Sequence, residues 1–299
     1  MNATWLDTTA GLGQRGRVDE VRAVGTRPGI GFIEVSGARV RVRRQPAVGK
    51  PAVVFACDGP NTLEHHDALL ARLKGRADVT IVDPPGTGCS EPPPGFDFSI
   101  DAYAALMLGV LEKLDAREAT LVFPCYLGFI AARAAERDAA RISRLVLPQT
   151  PSWEDLRRWA DRVDPRRLLR TPVLGQAVMA LRRRPIARGW FKAAVADRSQ
   201  LEAFSAAADE AFDAGGCFCL ASLLQRWESE QFATQLQLSV PVTVCWGSKD
   251  RSHRETAADG FCRHVAGART EVFPQQGHSV DLEAPDAFLS RVLFAGIHP

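Results

Sequence analysis

The sequence predicts an α/β architecture: a mostly parallel sheet flanked by helices, with a helical insertion in its second half. Three observations predict it. Short apolar runs alternate with segments of helical period from about residue 50 to residue 148. The alternation stops over residues 150–238, where helical segments and no clear strand are read. It resumes at Pro241 and continues to the end of the 299-residue chain.

Residues 1–28 hold no sustained pattern and read as a poorly ordered or loosely docked N-terminal extension. GFIEVSGARVRVRR (31–44) alternates apolar and polar on both sides of Ser36-Gly37, the pattern of a β-hairpin. PAVVFA (51–56) is a continuous apolar run, as in a strand buried on both faces. TLEHHDALLARLKG (62–75) has helical period, with Thr62 as N-cap and Gly75 as the stop. His65 and His66 read there as solvated helix residues. ADVTIVD is the next strand, SIDAYAALMLGVLEKL a helix, EATLVF a strand, YLGFIAARAAERD a helix and ISRLVLP a strand, the sixth. The insertion follows, rich in arginine and read as a solvated face. PVTVCWG and RTEVFP are the returning strands, and a helix from about Pro285 to Ala295 closes the pattern. The domain expectation is an extension at 1–28, a core from 29–149 and 239–299, and a helical cap at 150–238.

Apolar residues make up 46% and charged residues 24%, the balance of an ordinary globular protein. A formal net charge of +2 offers no general attraction to nucleic acid, and no run is apolar and long enough to span a bilayer. The first twenty residues lack the apolar core of a signal peptide. Seven cysteines occur without metal-type spacing, which fits reduced thiols and a cytoplasmic location. Cys217-x-Cys219 reads as packing within the cap. No cofactor or metal is called for.

Three chemically capable residues fall just after predicted strands. Cys125 follows ATLVFP, Asp250 follows VTVCWGSK and His278 follows TEVFPQQG. In an open parallel sheet the carboxyl ends of the strands form the site-bearing edge, so all three belong to one edge. Their order along the chain is nucleophile, acid, histidine.

On these residues the chain resembles the α/β-hydrolase superfamily from about residue 30 onward, within it most closely the proline-iminopeptidase-like branch. FACDGPNTLEHHDAL is similar to that branch's HGGPG segment, with Cys57-Asp58-Gly59-Pro60-Asn61 in its place. IVDPPGTGCSEPP is similar to D-x-x-G-x-G-x-S through Asp83, Gly86, Gly88 and Ser90. PVTVCWGSKD and QQGHSVDLEAPDAF resemble the segments of the acid and the histidine. The elbow departs from the family's G-x-S-x-G. Here it reads Phe123-Pro124-Cys125-Tyr126-Leu127, then Gly128: cysteine replaces serine, and both flanking glycines are gone.

The resemblance implies an α/β-hydrolase fold and a Cys125–His278–Asp250 triad, with the Gly59 and Tyr126 amides as oxyanion donors. A helix N-terminus and a neighbouring His278 are expected to lower the Cys125 pKa. His253 is expected to cap or flank a helix, and Asp83 to be structural. The functional expectation is a cysteine-type enzyme acting on an ester, thioester or activated amide by hydrolysis, acyl transfer or cyclisation. The expected substrate is a small acyl compound, with an acyl carrier protein or coenzyme A thioester as a further partner class. Two alternatives stand beside it. One is a lyase of secondary metabolism with His278 as base. The other is a non-catalytic binding relative, which the lost elbow glycines favour.

Overall fold

Eight strands make one sheet in the computed structural model, which describes residues 3–12, 18–232 and 235–295. They are β1 (Ile30–Val35), β2 (Ala38–Gln45), β3 (Ala52–Ala56), β4 (Asp78–Val82), β5 (Ala119–Val122), β6 (Ile142–Pro148), β7 (Val242–Gly247) and β8 (Arg269–Phe273). Their spatial order is β1-β2-β4-β3-β5-β6-β7-β8. β2 runs antiparallel to both β1 and β4, and all other neighbours are parallel. Ser36 and Gly37 both adopt positive φ (49° and 80°), the backbone that a tight two-residue hairpin demands.

The winding direction decides where the site lies. From β3 the chain crosses to β4 on one side, then passes back over β3 to β5 on the other. The crevice beyond the carboxyl ends of β3 and β5 is therefore a topological switch point, the place where open α/β sheets bind ligands. Helices cover both faces: α1 (Asp67–Leu73), α2 (Ile100–Lys113) and α3 (Leu127–Arg137) link the strands up to β6. Apolar side chains of α2 and α3, among them Met107, Phe129 and Ile130, fill one face of the sheet. Leu69 and Leu73 of α1 join Phe288 and Leu289 on the other. Each such burial contributes about 1.5–3 kcal/mol.

After β6 come four helices, α4 (Trp153–Val163), α5 (Leu174–Ala194), α6 (Leu201–Asp213) and α7 (Leu220–Trp227). Ser152 caps α4 by accepting from the Asp155 N–H. The segment is not purely helical: Cys217–Phe218 pairs antiparallel with Thr87–Gly88 and ties the cap to the loop after β4. A two-residue strand carries too little alternation to be legible in sequence. Cys217 and Cys219 pack as buried thiols 3.7 Å apart. Most of the cap arginines are exposed, as expected of a solvated face, and many of them are paired. Arg158, Arg162, Arg167, Arg170, Arg184 and Arg188 each meet a carboxylate. Buried Arg183 donates to the carbonyls of Gly216 and Phe212.

The described part of the N-terminal extension is anchored at a few points and otherwise largely exposed. Ala3, Val18 and Ala23 are buried. The Ala3 N–H donates to Gln225 of α7 at 3.0 Å, and Ser222 of α7 donates to buried Asp7. No helix among the described residues is long and apolar enough to cross a membrane.

Candidate active site

The turn after β5 is a strained elbow. Cys125 has φ +52°, a left-handed conformation that costs a non-glycine residue about 1 kcal/mol or more and concentrates at functional sites. The turn is pinned by Cys125 N–H to Pro148 O (2.7 Å) and by Thr150 Oγ1 to Cys125 O (3.1 Å). The loss of the family glycines is accommodated. Phe123 is absorbed into the core and Leu127 lines a cavity. Close approach is instead made at Gly128, where a Cβ would lie 2.3 Å from Thr150 Oγ1.

His278 follows β8 and is held by its backbone, its N–H donating to Ala194 O at the end of α5 (2.8 Å). Asp250 follows β7. Its Oδ1 accepts the Ser252 N–H and hydroxyl at 2.8 and 2.6 Å, leaving Oδ2 for His278 Nδ1 at 2.7 Å. The other ring nitrogen, Nε2, meets Asp58 Oδ2 at 3.0 Å. His278 thus lies between two carboxylates. Asp58 follows β3, inside the segment that resembles HGGPG, and its role was missed in the sequence. The strand-end logic that selected Cys125 and Asp250 applies to it equally.

One sulfur, one carboxylate oxygen and one ring nitrogen of Cys125, Asp58 and His278 lie within 4.8 Å of one another. His253 was missed as well. It is buried, and its Nε2 stands 3.9 Å from the Cys125 sulfur. Its ring stacks on Trp159 at 5.9 Å between centroids.

Electrostatics reverse one expectation. Burial first, then the negative charge of Asp58, push the Cys125 thiol up to about 11, against the opposing pull of His278 and the Tyr126 N–H. The resting sulfur is a thiol, not a thiolate, because the helix terminus and the histidine do not offset desolvation and the neighbouring carboxylate. Burial alone works against a charged His278, but the charge and hydrogen bond of Asp250, with Asp58 and Cys125, hold its pKa well above the usual value. Burial likewise raises Asp58, partly offset by His278. Burial drops His253 to about 3, so its ring is neutral. Both ring nitrogens of His278 face a carboxylate oxygen.

The loop bearing Asp58 and Gly59 rests on a buried ion cluster. Arg41 of β2 reaches Glu64 and, at 3.2 Å, Asp83, with all three side chains 4% exposed or less. Asp83 also accepts the Leu63 N–H at 3.2 Å. A Cβ at Gly88 would lie 2.1 Å from Asp83 Oδ2, so the D-x-x-G-x-G-x-S motif builds scaffold around that carboxylate. His65 and His66 are not solvated. His65 Nδ1 accepts the Thr62 N–H and its Nε2 binds Phe204 O of α6, at 3.0 Å each, while His66 is 2% exposed.

A cavity of about 560 Å³ opens over the elbow. Trp159, Trp190, Trp227, Leu169 and Leu223 give it an apolar wall, with Asp58, Gly59, Cys125 and Tyr126 at its floor. Arg162, Arg251 and Arg254 line it where it meets solvent.

Residues 54–285 match the model of the alpha/beta hydrolase fold family. The chain belongs to that family. It is a hydrolase-fold enzyme. Among solved structures it is similar to the Cif epoxide hydrolase from Acinetobacter nosocomialis, with TM-score 0.68, 14% identity, and 97% of this chain and 95% of that one covered. It is similar to a hydrolase from Pseudomonas aeruginosa, with TM-score 0.62, 23% identity, and coverage of 87% and 95%. It is also similar to the carboxylesterase CesB from Bacillus subtilis, with TM-score 0.64, 14% identity, and coverage of 92% and 93%. At these identities the likeness is one of fold. No curated protein matches the chain.

Thiol reactivity tests the electrostatics directly. Alkylation of Cys125 by iodoacetamide, followed by peptide mass spectrometry, is expected to keep rising past pH 9 as the thiol ionises toward about 11. Asp58→Asn removes the negative neighbour, lowers that midpoint and speeds alkylation at pH 8, by about tenfold for each unit the pKa falls. His278→Ala slows it. Equal rates in all three proteins would show that the groups are not coupled.

Proposed function

We propose that the protein is a cysteine-type acyl enzyme in which Cys125 attacks an ester or thioester carbonyl. The observation that carries this reading is the strained Cys125 elbow at the floor of the cavity, its sulfur within 4.8 Å of a ring nitrogen of His278, which Asp250 orients. A positive φ held by a non-glycine residue marks a place where side-chain position outweighs backbone comfort. The four motifs shared with the proline-iminopeptidase-like branch support kinship with it. The change from serine to cysteine argues against inheriting its peptidase activity.

The sulfur attacks as its proton leaves for the Asp58–His278 pair. The new S–C bond forms, and the carbonyl π electrons move to oxygen, which the Gly59 and Tyr126 amides hold. The intermediate collapses, the leaving group takes a proton from His278 Nε2, and a thioester acyl-enzyme results. Water, or another acceptor, then attacks with neutral His278 as base. Asp250 fixes the ring throughout.

Cavity and rim suggest the substrate class: an apolar acyl or aromatic body whose outer end carries a carboxylate or phosphate. Arg254 donates its Nε to Arg251 O and is exposed, with no carboxylate within ion-pair distance among the described residues. Arg251 spends hydrogen bonds on the carbonyls of Lys192 and Val195. Coenzyme A and carrier-protein thioesters belong to this class. Initial rates on matched activated esters and thioesters, with and without a terminal anion, test it. The anionic member is expected to have the higher kcat/KM, and Arg254→Gln to raise its KM about 3- to 10-fold with kcat unchanged. No turnover of any acyl compound would overturn the acyl reading. Equal kcat/KM for neutral and anionic pairs would overturn the anion preference.

A second reading rests on Asp58. With Nε2 engaged by a carboxylate rather than by the thiol, Asp58 and His278 form a proton-transfer pair suited to elimination, with Cys125 a bystander.

A further inference from the structure

We propose that Asp58, Cys125 and His278 form a zinc-binding site that closes the elbow thiol. This goes beyond the acyl reading and stands whichever group attacks substrate. The three donor atoms lie within 4.8 Å of one another. Tetrahedral zinc takes sulfur at about 2.3 Å and nitrogen or oxygen at about 2.0–2.2 Å. Ligand atoms around one such ion are then separated by roughly 3.3–3.8 Å, a distance small side-chain rotations reach here. Thiolate, imidazole and carboxylate make a borderline-soft donor set that selects zinc over magnesium or calcium.

His278 is already presented as a ligand. Its Nδ1 faces Asp250 at 2.7 Å, which fixes the ring and turns Nε2 toward Asp58 and the sulfur. A carboxylate behind a histidine in this way orients the ring and raises its basicity toward a metal. Three protein ligands under an open cavity leave the fourth position to water. On binding, the thiol proton and the proton between Asp58 and Nε2 pass to solvent, so affinity rises with pH. A second grouping, Asp250, His253 and His278, also lies within 4.8 Å. Its carboxylate is committed to Nδ1, and it contains no sulfur, which separates the two experimentally.

The test is titration of the metal-free full chain with cobalt(II), followed by displacement with zinc. The expected result is one equivalent bound with a near-ultraviolet thiolate-to-cobalt absorption, bleached as zinc replaces cobalt. Cys125→Ser abolishes the band. Asp58→Asn weakens binding at least about tenfold, and Asp250→Asn, acting through the ring, about 10- to 100-fold. Cys262→Ser, at the one cysteine of the seven that is not buried, leaves band and affinity unchanged. Circular dichroism confirms that each variant is folded. Binding without a sulfur band, a band that survives Cys125→Ser, or unchanged affinity in Asp58→Asn would each overturn the site.

Discussion

Cys125→Ala is expected to lower turnover of an acyl substrate by at least about 10⁴-fold, to the rate that binding and the proposed oxyanion amides supply alone. His278→Ala costs about as much, because members of one catalytic unit are not additive. Cys125→Ser retains little activity. Its hydroxyl occupies the same strained elbow, at φ +52°, but ionises far less readily than a thiol. The proton-transfer reading gives a different series: His278→Ala and Asp58→Asn abolish turnover, while Cys125→Ala leaves a substantial fraction. The measurement is initial rate for each variant, with folding checked by circular dichroism. Near-wild-type turnover in Cys125→Ala would remove the thiol from the mechanism and favour Asp58 and His278 as the working pair.

Arg41→Ala is expected to destabilise the fold by about 3–5 kcal/mol, the cost of stranding buried charge. Arg41 is 1% exposed and is shared by two carboxylates, Glu64 and Asp83, whose side chains are 4% and 0% exposed. Burial, opposed by Arg41 and reinforced by Glu64, already lifts Asp83 to about 6. Without Arg41 its folded pKa rises further above the unfolded value of about 3.9. A carboxyl group raised on folding is best tolerated when protonated, below the unfolded pKa, and its penalty grows as pH climbs through the folded pKa. The loss is therefore larger at pH 8 than at pH 5. Urea unfolding at both values measures it. A loss under about 1 kcal/mol, or one independent of pH, would show that the cluster does not carry the loop.

Strands and helices were legible because their apolar spacing repeats over five to fourteen residues, as in PAVVFA for β3 and SIDAYAALMLGVLEKL for α2. The edge bearing Cys125, Asp250 and His278 followed from their places just after strands, whereas the strand order that makes it a switch point came only with the fold. What stayed hidden was pairwise. Asp58 and His278 are 220 residues apart in sequence and 3.0 Å apart in space. His253 sits three residues beyond Asp250, where a flanking position is the simplest reading, and only the tertiary fold turns it toward the sulfur. The thiol pKa was misjudged for the same reason. A helix N-terminus and a histidine are visible in sequence, whereas desolvation and a second carboxylate appear only once the cavity floor is assembled. His65 reads as an exposed helical position until Phe204 of the cap closes over it.

Covalent catalysis through Cys125 is the central claim, and intact-protein mass spectrometry after rapid quench from an acyl thioester or activated ester tests it most directly. The account predicts a mass increase equal to one acyl group. Peptide mapping places it on Cys125, hydroxylamine removes it, and it is absent from Cys125→Ala. Its lifetime should lengthen in His278→Ala if any acyl-enzyme forms there, since deacylation needs the base. Full turnover with no adduct at any quench time, or an adduct on another of the seven cysteines, would contradict the account.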